Sequence, residues 1–178
     1  MKSLNTDNTT IKLVPPEIDR DAKLGVLWVN GVGGKETMIL MGNKPENIEP
    51  TTLKNEQRRV RSFIESKNQL NWMIQLNDKI VGTVWVNLDP TKYLASPSIH
   101  IMIGDPSCRG QGVGTSACKT VIDFLKNTGQ YEKIYSRHLI KNVGSAKMLT
   151  TLGFIKNGQP YRDTDDLEFQ NVQLNLAE

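Results

Sequence analysis

The chain has few residues of the kinds that hold metals or form disulfides. Its 178 residues include two cysteines, Cys108 and Cys118, and two histidines, His100 and His138. One cysteine falls in a glycine-rich turn and the other in a predicted helix, so a disulfide framework is not expected. Two cysteines without a histidine cluster do not make a zinc site. We therefore predict no metal cofactor.

Long apolar runs and strong charge are also absent. No run approaches the roughly 18 apolar residues that a membrane span needs. The polar stretch 1–10 lacks the apolar core of a signal peptide. These features predict a cytoplasmic protein that is not bound to a membrane. The net charge of +3 is too small to indicate a nucleic-acid partner, although it is compatible with a polyanionic cofactor.

Hydrophobic periodicity predicts an α+β fold. The apolar patterns fit the order strand, two helices, three strands, helix, strand, helix and two strands. We expect a mixed, mostly antiparallel, seven-stranded sheet flanked by helices, in one domain over 1–178 with a loose segment at 1–10. Segment 31–50 is rich in Gly, Asn and Pro and is predicted to be a long loop. A phase change in the closing strand, 167–176, predicts a bulge or a bend near Asn171.

A glycine-rich turn between a strand and a helix is the most informative feature. Segment 104–112 follows the alternating strand 98–103 and precedes a helical pattern over 113–128. Such a turn directs several backbone N–H groups at one point, beside the positive end of the helix dipole. Glycine is needed there because a Cβ would hold a ligand away from the backbone. The turn predicts an anion site, most simply for a phosphate or pyrophosphate.

Two common phosphate motifs do not fit this turn. A P-loop needs Lys before its Ser or Thr, whereas Gly114 is followed directly by Thr115 and Ser116. A dinucleotide fingerprint needs its third glycine at Thr115 and strands that alternate with helices. Here three strands precede the turn in succession, so neither motif explains it.

A third motif does fit. The segment Arg109-Gly110-Gln111-Gly112-Val113-Gly114 matches R/Q-x-x-G-x-G/A. At this point the chain resembles the GNAT superfamily of acetyl-CoA-dependent N-acetyltransferases. Asn142-Val143-Gly144-Ser145, followed by Leu152-Gly153-Phe154, resembles that family's N-x-x-[AS]…L-G-F block. Ile103-Gly104-Asp105-Pro106 resembles the branch that includes the ribosomal-protein N-terminal acetyltransferases. The resemblance extends from about Ile11 to Leu176.

The resemblance implies a GNAT-like fold and an activity. Acetyl would pass directly from acetyl-CoA to a primary amine, without an acyl-enzyme, in a monomer or homodimer. A non-catalytic acyl-CoA-binding module and a phosphate-binding protein of another fold are the alternatives. The turn would hold the pyrophosphate, and the preceding strand would pair with the pantetheine arm. The residues implied for cofactor binding are Ile101, Met102, Ile103, Arg109, Gly110, Gln111, Gly112, Val113, Gly114, Thr115, Asn142 and Ser145. For Asn142, a turn or helix-cap role is the alternative.

The usual acid and base of the resembled family are both missing. Many relatives have Glu where this chain has Ser98, and Tyr where it has Leu149. His100 shares a strand face with Ser98 and has an ordinary pKa of about 6.5, so it is a candidate base, and Ser98 is the second candidate catalytic residue. A hydrogen-bonded structural histidine is the equal alternative. The backbone N–H of Met102 or Ile103 is the candidate donor to the developing oxyanion.

The sequence leaves the acceptor open. Three predicted loops, 31–50, 89–97 and 159–166, are expected to shape its pocket. Tyr161, in the last of them, is expected to be either a surface residue or part of the substrate end. Peptide N-termini, a small polyamine and an aminoglycoside-like drug are all candidate acceptors.

Overall fold

A computed structural model describes residues 1–177 of the chain. The helices in this range are α1 (Ile18–Asn30), α2 (Gly34–Leu40), α3 (Leu53–Glu65), α4 (Val113–Thr128) and α5 (Val143–Thr151). The strands are β1 (Leu4–Asn5), β2 (Ile11–Val14), β3 (Gln69–Leu76), β4 (Lys79–Asn87), β5 (Ser98–Ile103), β6 (Lys133–Leu139), β7 (Ile155–Lys156), β8 (Tyr161–Arg162) and β9 (Glu168–Asn175).

All the strands belong to one mixed sheet. Its order is β1-β2-β3-β4-β5-β6-β9-β7, with β8 paired to β9. Neighbouring strands are antiparallel except β5 and β6, which are parallel. The predicted α+β fold with a mostly antiparallel sheet is therefore confirmed. The described residues form nine strands rather than seven, because β1 and β8 have two residues each and are too short to show a periodicity.

The N-terminal segment is held in place rather than loose. β1 pairs with β2, with Leu4 opposite Leu13 and Asn5 opposite Lys12. The indole Nε1 of Trp72 donates a hydrogen bond of 3.1 Å to the carbonyl oxygen of Lys2. The expectation of a loose segment at 1–10 is therefore wrong. Its polar composition hid backbone pairing at the sheet edge.

Alternating residues of β5 enter different apolar clusters on the two faces of the sheet. Ile99, Ile101 and Ile103 pack into the cluster that contains the buried stripe of α4. Met102 lies on the opposite face, in a cluster with Trp28 of α1. This is the alternation predicted from the sequence, since successive strand side chains point to opposite faces. The boundaries of β5, Ser98–Ile103, are also those predicted.

The predicted loop at 31–50 contains a helix. α2 begins after Gly33, whose φ of 80° is readily adopted by glycine. Seven residues form a marginal helix in water, so local propensity did not reveal it. Its Thr37 is buried and accepts a hydrogen bond of 2.6 Å from the guanidinium of Arg109. Tertiary contacts therefore stabilise α2.

The bulge predicted near Asn171 is absent. β6 and β9 pair without interruption from Lys133 opposite Asn175 to Leu139 opposite Phe169. Phe169 and Val172 consequently lie on opposite faces of one regular strand. Val172 joins the α4 cluster, and Phe169 lines a cavity on the other side. The apparent phase change reflects burial on both faces.

None of the helices within 1–177 is long and apolar enough to cross a membrane.

Candidate active site

The site is a cavity where β5 and β6 separate. The two strands pair only at Ser98 and Tyr135. One residue further along, the hydroxyl of Ser136 donates 2.9 Å to the carbonyl oxygen of Ile99. A cavity of about 820 Å³ opens beyond this point. The two strands therefore part at the beginning of β5. Most of the β5 edge that is directed toward β6 therefore faces the cavity.

Strand geometry decides which backbone groups of β5 point into this gap. On the β4 side, the Gly104 N–H donates 2.9 Å to the Val81 carbonyl. On the gap side, the Ile103 carbonyl accepts from a side chain, 2.9 Å from the Arg109 guanidinium. Because backbone groups alternate along a strand, Ile101 and Ile103 face the gap while Met102 faces β4. The prediction that Met102 offers backbone groups to a ligand is corrected; its side chain lines the cavity instead.

The glycine turn closes one end of the cavity. Gly110 and Gly112 have φ angles of 73° and 78°, and a Cβ on either would meet no atom within 4 Å. Within residues 1–177, no backbone oxygen accepts from the N–H groups between Gly110 and Thr115. These donors surround open space at the start of α4, next to its positive dipole end. The turn therefore fits a phosphate or pyrophosphate.

The turn is braced by its own side chains. Asp105 Oδ1 accepts hydrogen bonds from the backbone N–H and the hydroxyl of Ser107, at 3.0 and 2.7 Å. The hydrogen bond from the Ser107 hydroxyl is the main cause of a lowered pKa for Asp105, and it outweighs the opposing effect of burial. The Gln111 amide donates 2.6 Å to the carbonyl oxygen of Ser107. These contacts hold the donors in place before any ligand binds.

Arg109 has a different role from the one predicted. Its backbone N–H donates to the Pro106 carbonyl at 3.2 Å, so that group is not available to a phosphate. Its guanidinium bonds Thr37 of α2 and the Ile103 carbonyl at the end of β5. Arg109 therefore links α2 to β5 beside the cavity. The sequence motif identified the residue, but its partner on α2 was hidden in the predicted loop.

Asn142 and Ser145 lie at the start of α5, on the side of the cavity opposite β5. The Asn142 Oδ1 caps the helix by accepting from the Ser145 N–H at 3.0 Å. Its Nδ2 donates 3.2 Å to the Leu40 carbonyl at the end of α2. The helix-cap alternative for Asn142 is confirmed. Both residues line the cavity, and their contact with a cofactor stays a prediction.

His100 and Ser98 form a hydrogen-bonded group next to the strand separation. The His100 Nε2 lies 3.0 Å from the Ser98 Oγ and 3.2 Å from the Asn87 Nδ2. The imidazole stacks on Trp85, with ring centroids 5.3 Å apart. Burial, and then the positive charge of Arg137, lowers the pKa of His100 from 6.5 to about 4. The imidazole is therefore neutral and weakly basic, which favours the structural alternative over a general base.

The other groups singled out from the sequence occupy distinct positions. Leu149 is buried in the core, so no acid replaces the tyrosine of the resembled family there. His138 Nδ1 lies 2.9 Å from the carbonyl oxygen of Leu139, in line with a structural role. Burial raises the pKa of Cys118 to about 12. Cys108 lines the cavity beside the turn.

Arg137 is the cavity residue that sequence reasoning missed. It lies on β6 with its guanidinium 4.3 Å from the ring centroid of Phe169. Its Nη1 donates 3.1 Å to the hydroxyl of Tyr161, which stacks on Tyr93. Tyr161 is therefore half-buried in an aromatic cluster rather than a plain surface residue. No sequence motif marks Arg137, because its position depends on the pairing of β6 with β9.

The described lining of the cavity contains cations and no carboxylates. Arg109, Arg137, Lys141 and Lys147 line it, and no Asp or Glu of residues 1–177 does. No cluster of three or more His, Cys, Asp or Glu side chains in that range is arranged to hold a metal ion. The electrostatic character of the cavity suits an anionic ligand.

Comparison with known proteins agrees with this geometry. A family model described as "Acetyltransferase (GNAT) domain" matches residues 13–155. Human N-acetyltransferase 8B is 26% identical over 103 residues, covering 57% of this chain and 45% of that protein. An uncharacterized protein of Methanocaldococcus jannaschii is 33% identical over 98 residues, covering 53% of this chain and 19% of that protein. The chain thus matches less than half the length of each of these relatives.

Solved structures share the fold across nearly the whole chain. The microcin C7 self-immunity acetyltransferase MccE, in complex with acetyl-CoA and AMP, has a TM-score of 0.78 at 17% identity and covers 94% of this chain and 93% of its own. The ribosomal L7/L12 α-N-protein acetyltransferase RimL, in complex with coenzyme A, has a TM-score of 0.79 at 14% identity and covers 97% of both chains. At such identities the likeness establishes the fold.

Proposed function

Because the chain belongs to the GNAT family of acetyltransferases, we propose that it transfers an acetyl group from acetyl-CoA to a primary amine by direct attack. The observation that carries the proposal is the separation of β5 from β6, with the glycine turn at the end of the gap. Two structural neighbours were solved with acetyl-CoA or coenzyme A bound, which supports the choice of co-substrate. We also propose that the chain forms one domain and is cytoplasmic.

The cofactor half of the proposal assigns donors to each part of acetyl-CoA. The N–H groups from Gly110 to Thr115 bind the pyrophosphate, since they lack backbone acceptors of their own. The gap-facing N–H of Ile103 and carbonyl of Ile101 pair with the amides of the pantetheine arm, as an added strand would, since the Ile103 carbonyl already accepts from Arg109. Asn142 and Ser145 flank the arm from α5. The bound thioester supplies the activated acetyl group.

The chemical half requires little from side chains. The amine nitrogen forms a bond to the thioester carbonyl carbon, the C–S bond breaks, and the thiolate takes up a proton. The amine loses its proton to water, because His100 has a pKa of about 4 and is a poor base at neutral pH. Of the oxyanion donors considered from the sequence, Met102 faces β4 and the Ile103 N–H is assigned to the pantetheine arm. The Ile101 N–H also faces the gap and lies nearer to His100, so it is the donor we propose for the oxyanion.

A non-catalytic acyl-CoA-binding module is the second candidate function. The observation that favours it comes from the two positions considered for acid–base chemistry: Leu149 is buried in the core, and the pKa of His100 is lowered to about 4. Such a module would bind acetyl-CoA with the same donors. It would release no thiol in the presence of any amine.

Calorimetry and thermal unfolding test cofactor binding. Acetyl-CoA at a hundredfold excess over its Kd should raise the free energy of unfolding by about 2.7 kcal/mol. S-acetylpantetheine, which lacks the pyrophosphate, should bind far more weakly, and AMP alone should produce no comparable shift. Equal binding of S-acetylpantetheine and acetyl-CoA would exclude the glycine turn as the phosphate site. Thiol release across a panel of amines then separates an enzyme from a binding module.

A further inference from the structure

Arg137 lies at the opposite end of the cavity from the glycine turn. β5 and β6 are parallel and pair at Ser98 and Tyr135, so Arg137 is at the level of His100. Ile103 is three residues further along β5, about 10 Å at the rise of a strand, and the turn lies beyond it. Arg137 is therefore placed near the reacting end of the cavity rather than at the phosphates. The effect of its charge on the pKa of His100 agrees with this position.

The guanidinium of Arg137 is held firmly but is not neutralised. It packs on the face of Phe169, and its Nη1 donates to the Tyr161 hydroxyl. Tyr161 is itself stacked between Tyr93 and Phe169. Within residues 1–177, no carboxylate forms an ion pair with Arg137, and Nε and Nη2 have no hydrogen-bond partner. The Nε–Nη2 edge is one of the two sides of a guanidinium that can bind a carboxylate in bidentate fashion.

The charge of the cavity limits what can bind beside Arg137. All the charged groups of a polyamine or an aminoglycoside-like molecule are cationic at neutral pH. No Asp or Glu of the described lining is available to balance these positive charges. A cationic acceptor would therefore lie near the uncompensated charge of Arg137. An acceptor with one carboxylate close to its amine avoids this repulsion, because the carboxylate pairs with Arg137 while the amine faces the gap.

We propose that Arg137 selects acceptors that carry a carboxylate near the reacting amine, as in an amino acid or an acidic peptide N-terminus. The proposal rests on the proposed acetyl transfer and narrows its substrate class. Arg137 binds the carboxylate through its Nε–Nη2 edge, with Phe169 and Tyr161 fixing the plane of the guanidinium. It is thus a specificity residue and takes no part in proton transfer.

Matched acceptor pairs test this selection directly. Thiol release from acetyl-CoA is measured with alanine against alaninamide, phenylalanine against phenylalaninamide, and the peptides Ser-Asp-amide against Ser-Asn-amide; spermidine and kanamycin serve as cationic amines. With kcat/KM expressed per unprotonated amine, since carboxylate and amide differ in amine pKa, the wild-type protein should prefer the carboxylate member of at least one pair by roughly 10- to 100-fold, the usual range for a charged hydrogen bond. A preference within an amino-acid pair would indicate an amino acid as the acceptor, and a preference within the peptide pair would indicate an acidic peptide N-terminus.

Three variants assign the preference to Arg137. Arg137→Gln should reduce the ratio within the responding pair to near one, with the affinity for acetyl-CoA unchanged. Arg137→Lys should retain part of the ratio, because it keeps the charge and loses the planar fork. Arg162→Gln is the control, since Arg162 is exposed on β8 and pairs with Asp166 away from the cavity. A purely structural Arg137 would instead lower kcat/KM for both members of a pair equally.

A binding measurement keeps the test decisive if no panel amine is acetylated. N-acetylalanine and N-acetylalaninamide, as product mimics, are titrated into the protein saturated with coenzyme A. Binding of the carboxylate alone, lost in Arg137→Gln, would support the proposal. Equal binding or equal reaction of the carboxylate and amide members of every pair would overturn the proposed role of Arg137. Preferential use of spermidine or kanamycin would overturn it as well. Both results would leave the proposed acetyl transfer intact. Failure of acetyl-CoA itself to bind would instead refute the proposed function.

Discussion

The two ends of the cavity present different kinds of groups to a ligand. At the glycine turn, backbone N–H groups from consecutive residues face open space, and side chains such as Asp105 and Gln111 brace the loop from behind. At the Arg137 end, the exposed groups are side chains from β4, β5, β6 and β9, which are far apart in sequence. Consecutive backbone donors suit a ligand part common to a whole family. Dispersed side chains suit a part that differs between family members.

The largest effect should come from blocking the backbone end. Gly112→Val adds branches at Cβ on the open side of the turn, where the proposed pyrophosphate lies. Binding of coenzyme A, measured by calorimetry, should fall by more than 100-fold while the circular dichroism spectrum is retained.

A matched control exists at the other end of the same helix. Gly129 caps α4 at its C-terminus with a φ of 65°, and a Cβ there would also meet no atom within 4 Å. Gly129→Val therefore carries a similar backbone strain, on the order of 1–3 kcal/mol, but should bind coenzyme A normally. Equal loss of binding in both variants would mean that strain in α4, rather than a blocked phosphate site, explains the effect.

An intermediate effect is expected where the cavity is braced. Arg109→Leu removes the hydrogen bonds from the guanidinium to Thr37 and to the Ile103 carbonyl. Because these bonds involve a charged donor, we expect the free energy of unfolding to fall by about 1.5–3 kcal/mol. Urea denaturation measures this change.

Thr37→Val removes one of the two partners of Arg109 and should cost less than Arg109→Leu. In the double variant the two losses should not add, because both variants break the same contact. Additive losses would show that Arg109 and Thr37 act independently, and that α2 is held to β5 by other contacts.

The smallest effect is expected at His100. His100→Gln should lower the rate of acetyl transfer by less than about tenfold at pH 7.5, since the amine is proposed to lose its proton to water. Below the pKa of the amine, the rate should rise about tenfold per pH unit in both proteins, with no break near 6.5. If His100 were the general base, the wild-type profile would break near pH 4, the pKa of its imidazole. A loss of rate greater than tenfold in His100→Gln would contradict the water route.

The same variant checks the lowered pKa through stability. Between pH 4 and 6.5, the unfolded chain binds a proton at His100 that the folded protein excludes. The free energy of unfolding of the wild-type protein should therefore rise with pH across this window. The part contributed by the neutral His100 is lost as the pH falls from 6.5 to 4. His100→Gln should lack this part of the pH dependence, which thermal unfolding from pH 4 to 7 measures.

How much the sequence predicted follows the same division between the two ends. The boundaries of β5 and α4 and the glycine turn between them were predicted correctly, because they depend on local periodicity and on conformations that glycine favours. Arg137 and the helix α2 were missed. α2 is a short helix stabilised by its contact with Arg109, and no local pattern carries that information. Met102 was misassigned because the side-chain alternation was considered without the direction of its backbone groups.

By itself, the sequence determined the α+β class, the family resemblance and the position of the glycine turn. Each of these depends on residues close together in the chain, where glycine conformation, helix dipole and hydrophobic period act locally. Only the tertiary structure decided that β5 and β6 part after Ser98, that Arg109 joins α2 to β5, and that Arg137 reaches the cavity against Phe169. These features arise from strand pairing and packing between distant segments, whose register no single segment specifies.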